Sequence, residues 1–166
     1  NMNEVPQDKL YHAEGNVAVH IWKVIEELQQ LPAYSDLGGQ DKEILWTAAL
    51  LHDVEKRSAT VVESDGRITA RGHARKGEYT VRTLLYRDLP TPFAIREKIA
   101  SLVRFHGLPL WLMEKTDPVR KIAEVAFRLD TSQLRMLAEA DIRGRICQDR
   151  EELLESLDLF ELFCRE

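Results

Sequence analysis

Three amphipathic segments of this chain each carry an ionisable side chain on the apolar stripe that must face a core. Between about Ala13 and Leu31 the stripe is Val17, Ile21, Val24, Ile25 and Leu28, and His20 sits within it. A second helix starts near Asp41 and carries Leu45, Ala48 and Leu51. His52 lies four residues after Ala48 and seven after Leu45, and Asp53 follows about a third of a turn away. In a third segment Asp141 falls seven residues after Leu134 and three after Ala138. Burying such groups without partners costs several kcal/mol each, on an order-of-magnitude scale. One buried histidine is commonplace when hydrogen-bonded. Three such helices call for a common cause, and a divalent metal supplies one, because neutral imidazoles and carboxylates are deprotonated ligands whose burial a cation offsets. Two His and two Asp form a mixed N/O set that suits Mn, Fe, Co, Ni or Zn better than Mg.

The 166 residues suffice for one domain with a real core, and 44% hydrophobic with 31% charged residues is ordinary for a globular protein. No apolar run is long enough to cross a bilayer and none reads as a signal peptide, so no membrane partner is expected. Asn1 ahead of Met2 reads as a cloning remnant. Cys147 and Cys164 are far apart and form no metal-type pair, which makes a cytoplasmic location the default. The net charge of −5 is unevenly spread. Residues 67–87 carry Arg67, Arg71, Arg75, Lys76, Arg82 and Arg87 against Glu78 alone. A basic segment in an acidic protein points to a phosphate-bearing ligand or to a solvated helix face, and composition does not choose.

The remaining signals predict an all-α bundle of about seven helices with one short β-hairpin near 60–70, spanning 11–166 behind an irregular lead-in at 1–10. Asp41 is the expected N-cap of the second helix. Asp65-Gly66 suits the hairpin turn. A helix is expected from Ala74 to Arg87, and another from Thr91-Pro92, carrying Phe93, Ile95, Ile99, Leu102 and Val103. Leu108, Leu110, Trp111 and Leu112 form a short apolar connection or one-turn helix that can flank a pocket, with a loop pinned by Trp111 the preferred alternative. Asp117-Pro118 opens a helix with Val119, Ile122, Ala126 and Leu129 inside. Thr131 or Ser132 opens the next, and the last begins after an Asp149/Glu152 capping pair.

Only five histidines occur, and two of them, His73 before a helix and His106 at the end of one, can reach a site without disturbing core packing. The ordered set His20, His52-Asp53 and Asp141 resembles the HD superfamily of metal-dependent phosphohydrolases. The closest likeness is to the HD domains of bacterial CCA-adding tRNA nucleotidyltransferases. It rests on His12-Ala13-Glu14-Gly15-Asn16-Val17, His52 to Lys56, Gly72-His73 with Gly77, His106, and Ala140-Asp141-Ile142-Arg143-Gly144-Arg145. One departure is Glu55, where the related domains usually have Gly.

The resemblance implies a hydrolase of a phosphomonoester or 2′,3′-cyclic phosphodiester on a nucleotide or RNA end. His20, His52, Asp53 and Asp141 would hold a metal that lowers the pKa of a water. Asp53 would align that water, and Lys56 would stabilise charge on the phosphoryl oxygens. His73 and His106 would complete a second metal site, or His73 would act as general acid. Arg75, Lys76, Arg143 and Arg145 are candidates for a further phosphate, with ordinary surface charge the preferred alternative. His12 and Glu14 are expected to support ligands or line an entrance. The competing class is a non-catalytic nucleotide- or RNA-binding module regulating a larger enzyme. Similar modules are fused to kinase-like or nucleotidyltransferase domains, so the chain is expected to be part of a longer protein.

Overall fold

A computed structural model describes residues 1–165. Asn16 opens α1 (Val17–Gln30), its side-chain oxygen accepting the Val19 N–H at 3.0 Å. A one-turn helix α2 (Pro32–Ser35) leads to α3 (Gly39–Leu51). Gly38 caps α3, and Asp41 stands in its first turn, where the helix dipole still favours a carboxylate. After the short α4 (Lys56–Ala59), strands β1 (Val61–Val62) and β2 (Ile68–Thr69) pair antiparallel, with Val61 opposite Thr69. Gly66 supplies the positive φ of the turn, +86°.

Helix α5 (His73–Thr83) runs on into one π-helical turn, Leu84–Asp88. Helix α6 (Phe93–Phe105) begins one residue later than Thr91-Pro92 suggests, with Pro92 in the capping position and the Thr91 hydroxyl donating to the Leu89 carbonyl instead. Two 3₁₀ turns kinked at Trp111 cover Pro109–Glu114, the helical alternative for this segment rather than the preferred loop. Then come α7 (Pro118–Ala126), capped by Asp117, α8 (Thr131–Gly144), capped by Asp130, and α9 (Arg150–Arg165). None of the described helices is long and apolar enough to cross a membrane.

The core is built from the predicted stripes. Val24, Leu28, Leu45, Ala48, Leu102 and Leu134 are all buried. The exceptions are instructive. Phe93, Val119 and Ala126 are exposed, because α6 and α7 present them to solvent and bury Ile99 and Val125 instead. The lead-in is not peripheral: Val5 is buried in the core, and its carbonyl accepts the Val17 N–H.

Two close helix crossings set the geometry. Helix α1 packs on α8, and α5 packs on α6. A Cβ added at Gly144 of α8 would come within 2.9 Å of the Val24 backbone nitrogen. One added at Gly77 of α5 would come within 3.1 Å of a Val103 methyl on α6. Val24 is one turn beyond His20 and Gly144 one turn beyond Asp141, so the first crossing sets the distance between those two side chains. Gly77 follows His73 by a turn and Val103 precedes His106 by a turn, and the second crossing does the same for that pair. Gly144→Ala should therefore cost about 1–3 kcal/mol through overpacking. That loss is read as a lowered urea midpoint, whereas Gly39→Ala, which meets nothing within 4 Å, leaves the midpoint at or above that of the parent.

Candidate metal centre

The helix carrying Leu45 and Ala48 stops at Leu51, one residue before the His-Asp pair. His52 forms its C-cap, and a turn through Asp53 follows, closed by the Lys56 N–H donating to the Asp53 carbonyl at 2.9 Å. This break lets two adjacent side chains enter the same interior space. His52 and Asp53 are both 1% exposed.

Three histidines use one orienting device. His52, His73 and His106 each donate Nδ1–H to the carbonyl three residues earlier, at Ala49 (2.7 Å), Ala70 (2.7 Å) and Val103 (2.8 Å). In the neutral ring that bond fixes the tautomer and makes Nε2 the nitrogen with the lone pair. His20, fully buried, has no free carbonyl at hand inside α1. Its Nδ1 instead lies 2.9 Å from Glu14 Oε1, which also takes the His12 Nδ1–H at 2.8 Å, while Glu14 Oε2 accepts the Ile146 N–H at 2.9 Å.

The four lone pairs meet two carboxylates. His20, His52 and Asp141 bring one ligand atom each to within 4.8 Å of one another, and so do Asp53, His73 and His106. Asp53 stands between the groups. Its Oδ2 is 3.3 Å from His52 Nε2 and 3.8 Å from His20 Nε2, and its Oδ1 is 3.2 Å from His73 Nε2. His73 and His106 face each other Nε2 to Nε2 at 3.4 Å. With Nδ1 protonated on both rings, neither nitrogen has a hydrogen to share. His20 Nε2, His52 Nε2 and Asp53 Oδ1 are buried with no hydrogen-bond partner. Such orphaned acceptors fit divalent cations, and the two triads offer two positions joined through Asp53.

The electrostatics agree. Burial pushes His106 down to about 3, helped by His52 and His73, so it is neutral at pH 7 and available as a ligand. Burial likewise pushes His12 down to about 4. Burial alone would raise Asp53 and Asp141, but Lys56 and His52 hold the first, and Arg145 and His20 the second, well below the usual carboxylate range. His52 is the exception: burial opposes its charge, yet Asp53 and Asp141 outweigh it and shift that imidazole upward, so a cation at this triad would have to take the place of the Nε2 proton.

The basic residues fall into two groups. Lys56 Nζ lies 2.8 Å from Asp53 Oδ2 and donates to Gln7 Oε1 at 2.7 Å, so in this structure it neutralises the carboxylate. Arg145 grips both oxygens of Asp141, at 3.1 and 2.6 Å. Arg143 turns outward onto Glu139 at 2.8 Å, and Arg75 and Lys76 are exposed on α5 outside the cavity wall. Of the four candidates for a further phosphate, Arg145 alone reaches the cavity. Glu55 points away from the triads and accepts the Thr80 hydroxyl at 2.8 Å, so the departure at this position does not touch them.

The centre opens into a cavity of about 860 Å³. His73 and His106 line one side, the lead-in residues Gln7, Tyr11 and His12 another, and Trp111 the mouth. Arg104, Lys115 and Lys121 also reach it, and no motif marks them in the sequence. Glu14 could be singled out only as a carboxylate in a histidine-bearing loop.

The family profile described as HD domain matches residues 17–141. Among curated proteins none matches the chain.

Two substitutions probe the arrangement through metal content rather than turnover. Asp53→Asn should lower bound divalent metal at both triads, whereas His106→Ala should lower it at one, as counted by elemental analysis after dialysis. Glu14→Gln should weaken metal binding about 10- to 100-fold, because it loosens the ring of His20 without removing a ligand.

Proposed function

The chain belongs to the HD-domain family, a superfamily of metal-dependent phosphohydrolases, and we propose that it hydrolyses a phosphomonoester or 2′,3′-cyclic phosphodiester of a nucleotide or RNA end. The observation that carries this reading is the convergence of His20, His52, His73 and His106 on two carboxylates beneath an open cavity, three of the rings held by Nδ1–H bonds that turn Nε2 inward. A purely structural cluster would need no such cavity above it.

His20, His52 and Asp141 would hold one divalent cation, His73 and His106 a second, and Asp53 would bridge them. When bound, such cations act as Lewis acids that lower the pKa of water and draw charge from phosphoryl oxygens. The chain's own groups do the rest. Asp53, held ionised, aligns the attacking water by accepting its hydrogen bond. Lys56, which lines the cavity beside Asp53, would set its ammonium against the charge developing on the phosphoryl oxygens. The Nδ1–H bond of His73 to Ala70 turns its Nε2 toward His106 and Asp53, a placement that favours a ligand role over general acid. Arg145 keeps Asp141 oriented and ionised.

The nucleotide part of the proposal is supported by half-exposed Tyr11 and Trp111 on the cavity wall, which offer flat surfaces for a base. The RNA-end part is supported by the resemblance of Gly72-His73…Gly77 and Ala140-Asp141…Gly144-Arg145 to the HD domains of CCA-adding enzymes.

The test is phosphate release from 2′-, 3′- and 5′-nucleotides, and ring opening of 2′,3′-cyclic nucleotides, with Mn, Co, Ni or Mg supplied in turn. Metal-dependent turnover is expected, falling to background in Asp53→Ala and by roughly 10²-fold in kcat for Lys56→Ala. Unchanged turnover in Asp53→Ala would falsify the reading.

A further inference from the structure

The protein as a whole is acidic, yet its cavity is lined by five cations, Lys56, Arg104, Lys115, Lys121 and Arg145, against the carboxylates of Asp8 and Asp53. Two of the five are committed, Lys56 to Asp53 and Arg145 to Asp141. The other three form a separate lip where the end of α6, the 3₁₀ turns and α7 meet. Carboxylates do occur nearby in sequence, but Glu114, Asp117 and Glu124 do not line the cavity. Asp8, on the lead-in side, accepts the backbone N–H groups of Leu10 and Ile68.

The lip holds surplus positive charge. Arg104 shares the buried Glu78 with Arg82 and Arg128, at 3.4, 2.9 and 3.1 Å, and Arg82 also pairs with Glu97 at 2.8 Å, so three guanidinium groups meet two carboxylates. Lys121 meets Glu124 at 2.8 Å, and Lys115 makes no ion pair among the described residues. Arg104 and Lys121 both stand about the buried ring of Phe105, each 5.5 Å from its centroid, and this ring lines the cavity. The aromatic face anchors both cations against the wall. Arg104 and His106 lie two residues apart at one helix end, so the lip stands beside the second triad without belonging to it.

The geometry points to a second phosphate-binding subsite on this lip, in addition to the reaction centre. The substrate would present one phosphate to the two triads and a second, unreacted phosphate to Arg104, Lys115 and Lys121. This deepens the proposed function and rests on it for the reacting phosphate only. The second phosphate can be the other terminal group of a nucleoside bisphosphate or the next phosphodiester of a strand.

Adenosine 3′-phosphate, adenosine 3′,5′-bisphosphate and the dinucleotide 3′-phosphate ApAp distinguish these sources. Binding is measured by calorimetry in EDTA, where no turnover is needed, and KM is measured with metal supplied. At least one doubly phosphorylated ligand should bind about tenfold more tightly than adenosine 3′-phosphate, with an advantage that shrinks as salt rises. The double variant Lys115→Ala/Lys121→Ala should lose that advantage in Kd and KM while its KM for adenosine 3′-phosphate stays within about twofold. An advantage confined to ApAp identifies a strand, one confined to the bisphosphate identifies a second terminal phosphate, and both together identify the phosphate alone. Equal binding of all three ligands, or an advantage that survives the double substitution, overturns the subsite. Preferential binding in EDTA without turnover of any nucleotide would sink the hydrolase reading and leave the subsite standing.

Discussion

Everything at the centre of this protein depends on where the histidine protons are. An imidazole has one N–H to place, and its position decides which nitrogen remains a donor of electrons. In His52, His73 and His106 a backbone carbonyl three residues earlier takes the Nδ1–H, so in the neutral ring the inward-facing Nε2 is the ligand nitrogen. Each of these rings sits at a helix boundary, and that is what makes the device available: His52 and His106 are C-caps, and His73 begins α5. His20 lies inside the regular ladder of α1, where carbonyls are already engaged, and a carboxylate from outside the helix, Glu14, must serve instead. The difference between the four rings follows from helix geometry alone.

Orientation would be useless without spacing, and spacing comes from glycine. The α1/α8 crossing brings Gly144 against Val24, and the α5/α6 crossing brings Gly77 against Val103. In both cases the contact lies one turn from the functional side chains, on the same faces. The first crossing has no room for a side chain at Gly144, and the second leaves little at Gly77. This gives the Gly-bearing segments after His73 and Asp141 a packing reason, independent of any chemistry they are associated with elsewhere.

Much of this was legible in the sequence, and the limits follow from the kind of signal each feature leaves. Inward-facing His20, His52 and Asp141 are periodic with their helices, so the stripe that buries them also reveals them. The exposed Phe93, Val119 and Ala126 show where the same signal fails. A few apolar residues at helix spacing do not say which face meets the core when both faces carry some. Arg145 and Lys56 were visible as charges, but their pairing with Asp141 and Asp53 depends on how the chain folds back, not on spacing along it. The lead-in was harder still. Val5 and Gln7 have no periodicity, and their roles in the core and on Lys56 appear only in three dimensions.

Charge shows the same division between local and global information. Residues 67–87 look basic in sequence, yet Arg75 and Lys76 from that stretch face solvent and Arg82 is spent on Glu78 and Glu97. The cations that do reach the cavity come from α6, the 3₁₀ turns and α7, one or two at a time, so no window of sequence registers them. Within an ionic-strength screening length of about 8 Å, a ligand in the cavity responds to those few groups rather than to the overall charge of −5. A net-acidic surface and a cationic interior opening are therefore compatible. The first disfavours nonspecific adhesion to polyanions, and the second leaves the cavity as the place where a phosphate is locally attracted.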